Sequence, residues 1–112
     1  MGQVSAVLRK VAGGHSHWCP GCEEMHVLPN GWTFDGNVDR PTYSPSFKHT
    51  GVAKRDTPEG WVYPRDDAGK PLPRCCHYFI RAGRIEFCAD STHPLAGQTV
   101  DLPALPAHLR DT

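Results

Sequence analysis

The sequence predicts a mainly β fold: one small antiparallel domain over residues 1–112, a partly open sheet or barrel-like unit carrying a zinc knuckle. Three observations carry this expectation. Eleven glycines and eleven prolines exceed ordinary usage, which favours many turns and short strands over long helices. Two short runs, His77-Tyr-Phe-Ile80 and Arg84-Ile-Glu-Phe87, rich in aromatic and β-branched residues, flank Ala82-Gly83 as the arms of a hairpin. Cys19-Pro-Gly-Cys22 sets two thiols in a tight loop, the half-site of a tetrahedral metal ion.

Taken in order, Val4 to Val11 has no capping box and is stopped by Gly13-Gly14, so a strand is favoured over a helical turn. The cysteine loop follows, then an extended run through His26-Val-Leu28 that Pro29-Asn30-Gly31 turns back. Asp35-Gly36 carries the residues a type I′ turn needs and predicts a hairpin between Gly31–Phe34 and Asn37–Asp39. Trp32 and Phe34, two apart on that strand, share a face and enter the core. Pro41 to Phe47 is extended, because each proline restricts the residue before it. The stretch at about 50–74 reads as a surface excursion holding one short strand, Trp61-Val-Tyr63. The tail from Val100 to Pro106 reads as an extended strap.

The last hairpin bears on the chemistry. Alanine resists positive φ, so a three-residue loop, Arg81-Ala82-Gly83, is preferred to a two-residue turn. That register pairs Phe79 with Ile85, His77 with Phe87 and Cys76 with Cys88. Within the strand, Cys76 and His77 point to opposite faces, so one can be a ligand while the other has a different job.

The metal site needs a second half, and Cys75-Cys76-His77, Cys88 and His93 offer it. Cys76 and His93 complete a Cys₃His site with Cys19 and Cys22; His77 in place of Cys76 is the competing choice. Zinc is the expected ion, and its binding would stabilise a thin core. A thioredoxin-type redox pair would open a helix, and none follows Cys22. Cys75 and Cys88 read as small buried apolar groups, and His15, His17 and His49 as packing or exposed histidines. His26, four residues past Cys22, could reach the metal or stand beside it. Asp90 in Asp90-Ser-Thr-His93 could orient the His93 imidazole or cap its turn.

Twelve basic and twelve acidic residues cancel, which leaves no electrostatic footprint for nucleic acid or an anionic membrane. No run approaches the roughly 20 apolar residues of a membrane span, and residues 1–6 match neither a signal peptide nor a myristoylation site. An odd count of five cysteines argues against a disulfide framework and for a reducing cytoplasm.

His17-Trp-Cys-Pro-Gly-Cys22, His26, Trp32-Thr-Phe34, Arg40-Pro-Thr-Tyr-Ser-Pro-Ser46, Cys76-His77 and Asp90-Ser-Thr-His-Pro-Leu-Ala-Gly-Gln-Thr99 together resemble a small phage and prophage family of unknown function. Its members are often labelled ammonia monooxygenase, a label that this chain, without membrane spans or histidine-rich copper ligation, does not fit. The resemblance implies a phage-encoded, cytoplasmic zinc protein of the bacterial host cell. Cys75 and Cys88 fall outside its pattern, and members often carry Cys at the position of Ser91.

Two functions follow. In the first the zinc is structural, and the protein is a binding or accessory module with a protein partner, such as an inhibitor of host defence. Pro41–Phe47 and Trp61–Tyr63 are then the contact surfaces. In the second an open zinc activates water, with Asp90, His77 or His26 as proton shuttle. Thiolate-rich sites are usually structural, and there is no nucleophile elbow, phosphate loop or HExxH, so the first is preferred.

Overall fold

The computed structural model describes residues 2–110. Ten strands form three antiparallel sheets, with no α-helix among the described residues. The first sheet joins β1 (Arg9–Val11), β2 (Gly14–Cys19) and β3 (Glu24–Pro29). The largest runs in the order β10 (Thr99–Asp101), β9 (Arg84–Phe87), β8 (Pro73–Arg81), β5 (Tyr43–Val52) and β4 (Thr33–Phe34). A small hairpin, β6 (Arg55–Thr57) with β7 (Gly60–Val62), projects from the loop joining β5 to β8. One 3₁₀ turn, Ala107–Leu109, follows the strap.

Alternation along β8 organises the core. Cys76, Tyr78 and Ile80 point inward and are fully buried, and with Phe47, Ile85 and Phe87 they face the first sheet. Tyr78 lies at the centre, with the rings of Phe47, Phe87, His17 and His49 around it. Burying aromatic side chains of this size supplies the largest apolar contributions to the fold. Leu102 and Leu105 of the C-terminal segment are buried, and their N–H groups donate to the Gly83 and Ala6 carbonyls, each at 2.9 Å.

Several local expectations are corrected. The β8–β9 turn has two residues, not three: Arg81 pairs with Arg84, Ile80 with Ile85, Phe79 with Glu86 and Tyr78 with Phe87. Ala82 does adopt a φ of 48°. Its N–H donates to Thr42 Oγ1 at 2.8 Å, and Gly83 N–H donates to the Pro41 carbonyl at 3.0 Å. Those tertiary bonds offset a left-handed alanine's cost of about 1–2 kcal/mol. The opposed faces of Cys76 and His77 survive the change, because they depend only on alternation within β8.

Thr33 and Phe34 pair with Ser44 and Tyr43 rather than with Asn37–Asp39. Asp35 Oδ1 accepts from the N–H groups of Asn37 and Thr42, and Asn37 Oδ1 from those of Asp39 and Arg40, so the intervening residues form a stack of side-chain-bonded turns. Trp32 and Phe34 still meet the core together, stacking on Phe47 and Tyr43. The N-terminal strand is shorter than expected, because Ser5 Oγ accepts from the N–H of Val7 and Leu8 and turns the chain before Arg9.

Candidate functional site

Two clusters occupy opposite faces of the central strand. On the inner face, the β2–β3 turn brings Cys19 and Cys22 to Cys76 of β8 and to His93 in the loop after β9, with ligand atoms all within 4.8 Å of one another. These four side chains could hold a metal ion, and a cation there would tie the first sheet to the largest one. Cys19 Sγ lies 3.7 Å from Cys76 Sγ, and Cys76 Sγ lies 3.5 Å from His93 Nε2. Cys22 N–H donates to Cys19 Sγ at 3.4 Å.

The loop sequence explains the approach. Glu23, with φ 56°, takes the left-handed position and donates its N–H to the Cys19 carbonyl at 2.8 Å. Gly21 serves a different need: a Cβ there would fall 2.3–2.4 Å from three atoms of the His93 ring. Hydrogen bonding from Cys22 and Cys76 pulls the Cys19 thiol down to about 4. Hydrogen bonding with Cys19 and Cys22, together with burial, pushes Cys76 strongly up. The thiols thus share protons and charge, and a divalent cation relieves that competition. Leu95 N–H faces His93 Nδ1 at 3.2 Å, so a cation on Nε2 would move the ring proton to Nδ1 at the expense of that contact.

Behind this cluster is a second polar group. Glu24 is buried and ion-paired with Arg74, and His26 Nδ1 lies 3.7 Å from the same carboxylate. Cys22, Glu24 and His26 also come within metal-ligand reach of one another, but they share Cys22 with the first set. His26 stacks on His49 at 4.0 Å, and His17 Nε2 lies 2.7 Å from the Tyr78 hydroxyl. Burial, reinforced by His26, pushes His17 down to about 3 and His49 to about 4, so both are neutral packing groups. His15 likewise contacts the Tyr43 hydroxyl at 2.8 Å.

On the outer face, His77 stands opposite Lys48 of β5. Its Nε2 lies 3.2 Å from Ser46 Oγ, and its Nδ1 lies 3.2 and 3.3 Å from the two oxygens of Asp90. The pairing of β5 with β8 is irregular between Tyr43 and Phe47, and Ser46 lies within that irregular stretch beside the histidine. Ser91 holds the imidazole's backbone: its Oγ accepts from His77 N–H and donates to the His77 carbonyl, each at 3.1 Å. Thr92 Oγ1 does the same for Cys75, at 3.0 and 3.2 Å. The Asp90–Thr92 loop is thus pinned alongside β8.

This corrects two expectations and supplies a residue the sequence reading missed. Asp90 faces His77, and His93 is turned by Leu95 instead. His77 and Asp90 lie across the sheet from the thiol cluster, so they cannot shuttle protons for a metal held there. Nothing local marks Ser46, a strand serine between a proline and a phenylalanine without a nucleophile elbow. Cys76-His77 was the available signal, since opposed faces require two jobs. Of the proposed contact surfaces, Tyr43 and Phe47 are core residues, whereas Trp61 and Tyr63 are about half exposed.

Comparison with known proteins places the chain in a family. The family model described as bacterial ubiquitination-like system serine protease (BubE) matches residues 1–88, a span containing Ser46 and His77 and ending just before Asp90. No curated protein and no solved structure matches the chain. The match gives no support to the resemblance to phage proteins labelled ammonia monooxygenase. With more than three quarters of its length matched, the chain belongs to the BubE family.

Proposed function

We propose that this BubE-family protein is a serine peptidase in which Ser46 is the nucleophile, His77 the general base and Asp90 the group that orients it. The observation that carries this reading is the pair of contacts on His77, Nε2 to Ser46 Oγ at 3.2 Å and Nδ1 to Asp90 at 3.2 Å. The roles are those of a triad, which is recognised by geometry and not by chain order. Ser46 Oγ attacks the scissile carbonyl carbon as its proton passes to His77 Nε2. Asp90 accepts a hydrogen bond from Nδ1–H and stabilises the imidazolium. When the tetrahedral intermediate collapses, the C–N bond breaks, and the departing amine takes the proton from Nε2. Water then attacks the Ser46 ester, gives its proton to His77 and restores the serine as the acid product leaves.

The family's description directs the substrate choice toward the ubiquitin-like proteins of such a system, cleaved at peptide or isopeptide bonds. The exposed Trp61–Tyr63 segment suits a contact with such a protein partner, and zero net charge offers nothing to nucleic acid. No helix among the described residues is long and apolar enough to cross a membrane. Five free cysteines fit a reducing bacterial cytoplasm.

Cys19, Cys22, Cys76 and His93 hold zinc in this reading, as a staple and not as a catalyst. A tetrahedral ion with ordinary Zn–S and Zn–N bonds has S–S edges of about 3.8 Å and S–N edges of about 3.6 Å. The observed separations are 3.7 and 3.5 Å. Four protein donors leave no open position for water, which counts against the zinc-hydrolase alternative. An inhibitor of host defence, the other reading raised by the sequence, has no feature of its own in the described residues, so the peptidase is preferred.

A fluorophosphonate probe tests the nucleophile without a known substrate. Ser46 Oγ displaces fluoride at phosphorus while His77 takes the proton. Labelling should fall to background in Ser46→Ala and drop by about two to four orders of magnitude in Asp90→Asn, which loses the acceptor for Nδ1–H. Labelling of Ser46→Ala at the wild-type rate sinks the assignment.

A further inference from the structure

We propose that His77, Asp90 and Cys88 form a second, inhibitory site for a thiophilic divalent cation such as zinc, which switches the peptidase off by occupying its own base. Its effect on activity rests on the peptidase reading; the binding itself does not.

The three side chains offer a nitrogen, a carboxylate oxygen and a sulfur within 4.8 Å of one another, on the outer face and away from the structural thiols. Cys88 is placed by its own backbone, whose N–H donates to the His77 carbonyl at 2.8 Å. His77 and Cys88 are half-buried and Asp90 is exposed, so small side-chain movements can bring the donors to bonding distance while water fills the remaining position. Imidazole, thiolate and carboxylate together are a zinc-type donor set. Burial and then the charge of Asp90, with Cys75 and Glu86 adding to it, push the Cys88 thiol up. The negative groups that disfavour a bare thiolate favour a cation beside it.

The chemical consequence follows from which nitrogen is taken. Asp90 sits on the Nδ1 side of His77, so a cation shared with that carboxylate binds Nδ1. The ring's remaining proton must then reside on Nε2, facing Ser46 Oγ. In that tautomer His77 cannot accept the serine proton, and the carboxylate that would stabilise the imidazolium is committed to the ion. One cation therefore disables both functions without touching the nucleophile. Lys48 Nζ, 4.0 Å from Asp90 Oδ2, is the cation it displaces.

The test starts from protein whose structural site is filled with one equivalent of zinc. Further zinc should slow fluorophosphonate labelling of Ser46 at least tenfold. Cys88→Ser should label normally without added zinc and need at least tenfold more zinc for the same inhibition. Inhibition of Cys88→Ser at the wild-type zinc concentration overturns the proposal. Binding is read separately by adding cobalt(II) to the zinc-stapled Ser46→Ala protein. A thiolate-to-cobalt charge-transfer band should appear, persist in Ser46→Ala/Cys75→Ser and vanish in Ser46→Ala/Cys88→Ser. A band that never forms, or that survives the loss of Cys88, also overturns the site. Failure of wild-type labelling would refute the peptidase while leaving the cobalt result to judge the cation site.

Discussion

Gly21→Ala should release His93 from the thiol cluster, although neither residue 21 nor its substitute is a ligand. The new Cβ would lie 2.3 Å from ring carbon Cε1 and 2.4 Å from both ring nitrogens, where ordinary contact begins near 3.4 Å. The ring must therefore retreat by about 1 Å, whereas a Zn–N bond of about 2.0 Å has no such slack. Backbone movement of the loop is resisted by the Cys22 N–H to Cys19 Sγ and Glu23 N–H to Cys19 carbonyl bonds. Structural zinc contributes on the order of 10–16 kcal/mol in small fingers. Losing one of four donors should then cost about 3 kcal/mol, or roughly two decades in zinc affinity. Competition against a chromophoric chelator reads that change, and a thermal melt should fall with it. Gly31→Ala is the control, since nothing lies within 4 Å of its Cβ position. His93→Ala should weaken binding by a similar factor, and adding Gly21→Ala to it should weaken binding little further. Wild-type zinc affinity in Gly21→Ala would refute the reasoning.

Two other outcomes follow from the same geometry. Cys76→Ser should lose the stapling zinc, while Cys75→Ser should keep one tightly bound equivalent by metal analysis; the reverse pattern would invert the strand faces. Acid should destabilise the fold through His17, whose folded value of about 3 lies below the ordinary 6.5 because the ring is buried neutral. The unfolded chain then binds the extra proton between those values. The stability contribution is full above about pH 6.5 and is lost as pH falls toward 3, the loss reaching about 2 kcal/mol by pH 5. A denaturant midpoint that does not move between pH 7 and pH 5 would contradict this.

The difference between Cys76 and His77 shows how far local rules carry. Alternation in a strand is a covalent consequence, so the opposed faces of these neighbours could be read from the chain, and they hold in a register shifted by one residue. Cys-Pro-Gly-Cys is equally local, because two thiols with only Pro and Gly between them converge whatever surrounds them. The turn at Ala82 shows the opposite case. Its intrinsic preference against positive φ was overruled by Thr42 and Pro41, partners that no reading of the hairpin alone contains.

By itself, the sequence determined the β class, the opposed faces of Cys76 and His77, and a thiol and imidazole set suited to a metal in which either of those two neighbours could serve, because each depends on spacing within a short segment or on side-chain chemistry. That Cys76 is the one on the inner face was decided by the tertiary structure. Only the tertiary structure decided that Ser46, 31 residues from His77, lies against its Nε2, and that Asp90 serves this histidine and not His93. Serine is common in strands and bears no mark of reactivity. Its place beside His77 arises when β5 pairs with β8, the register slips between Tyr43 and Phe47, and the Asp90–Thr92 loop is pinned beside the imidazole. Those are long-range pairings set by the burial of Phe47, Tyr78 and Phe87 on the other face, so the Ser46, His77 and Asp90 contacts are positioned by the core behind them.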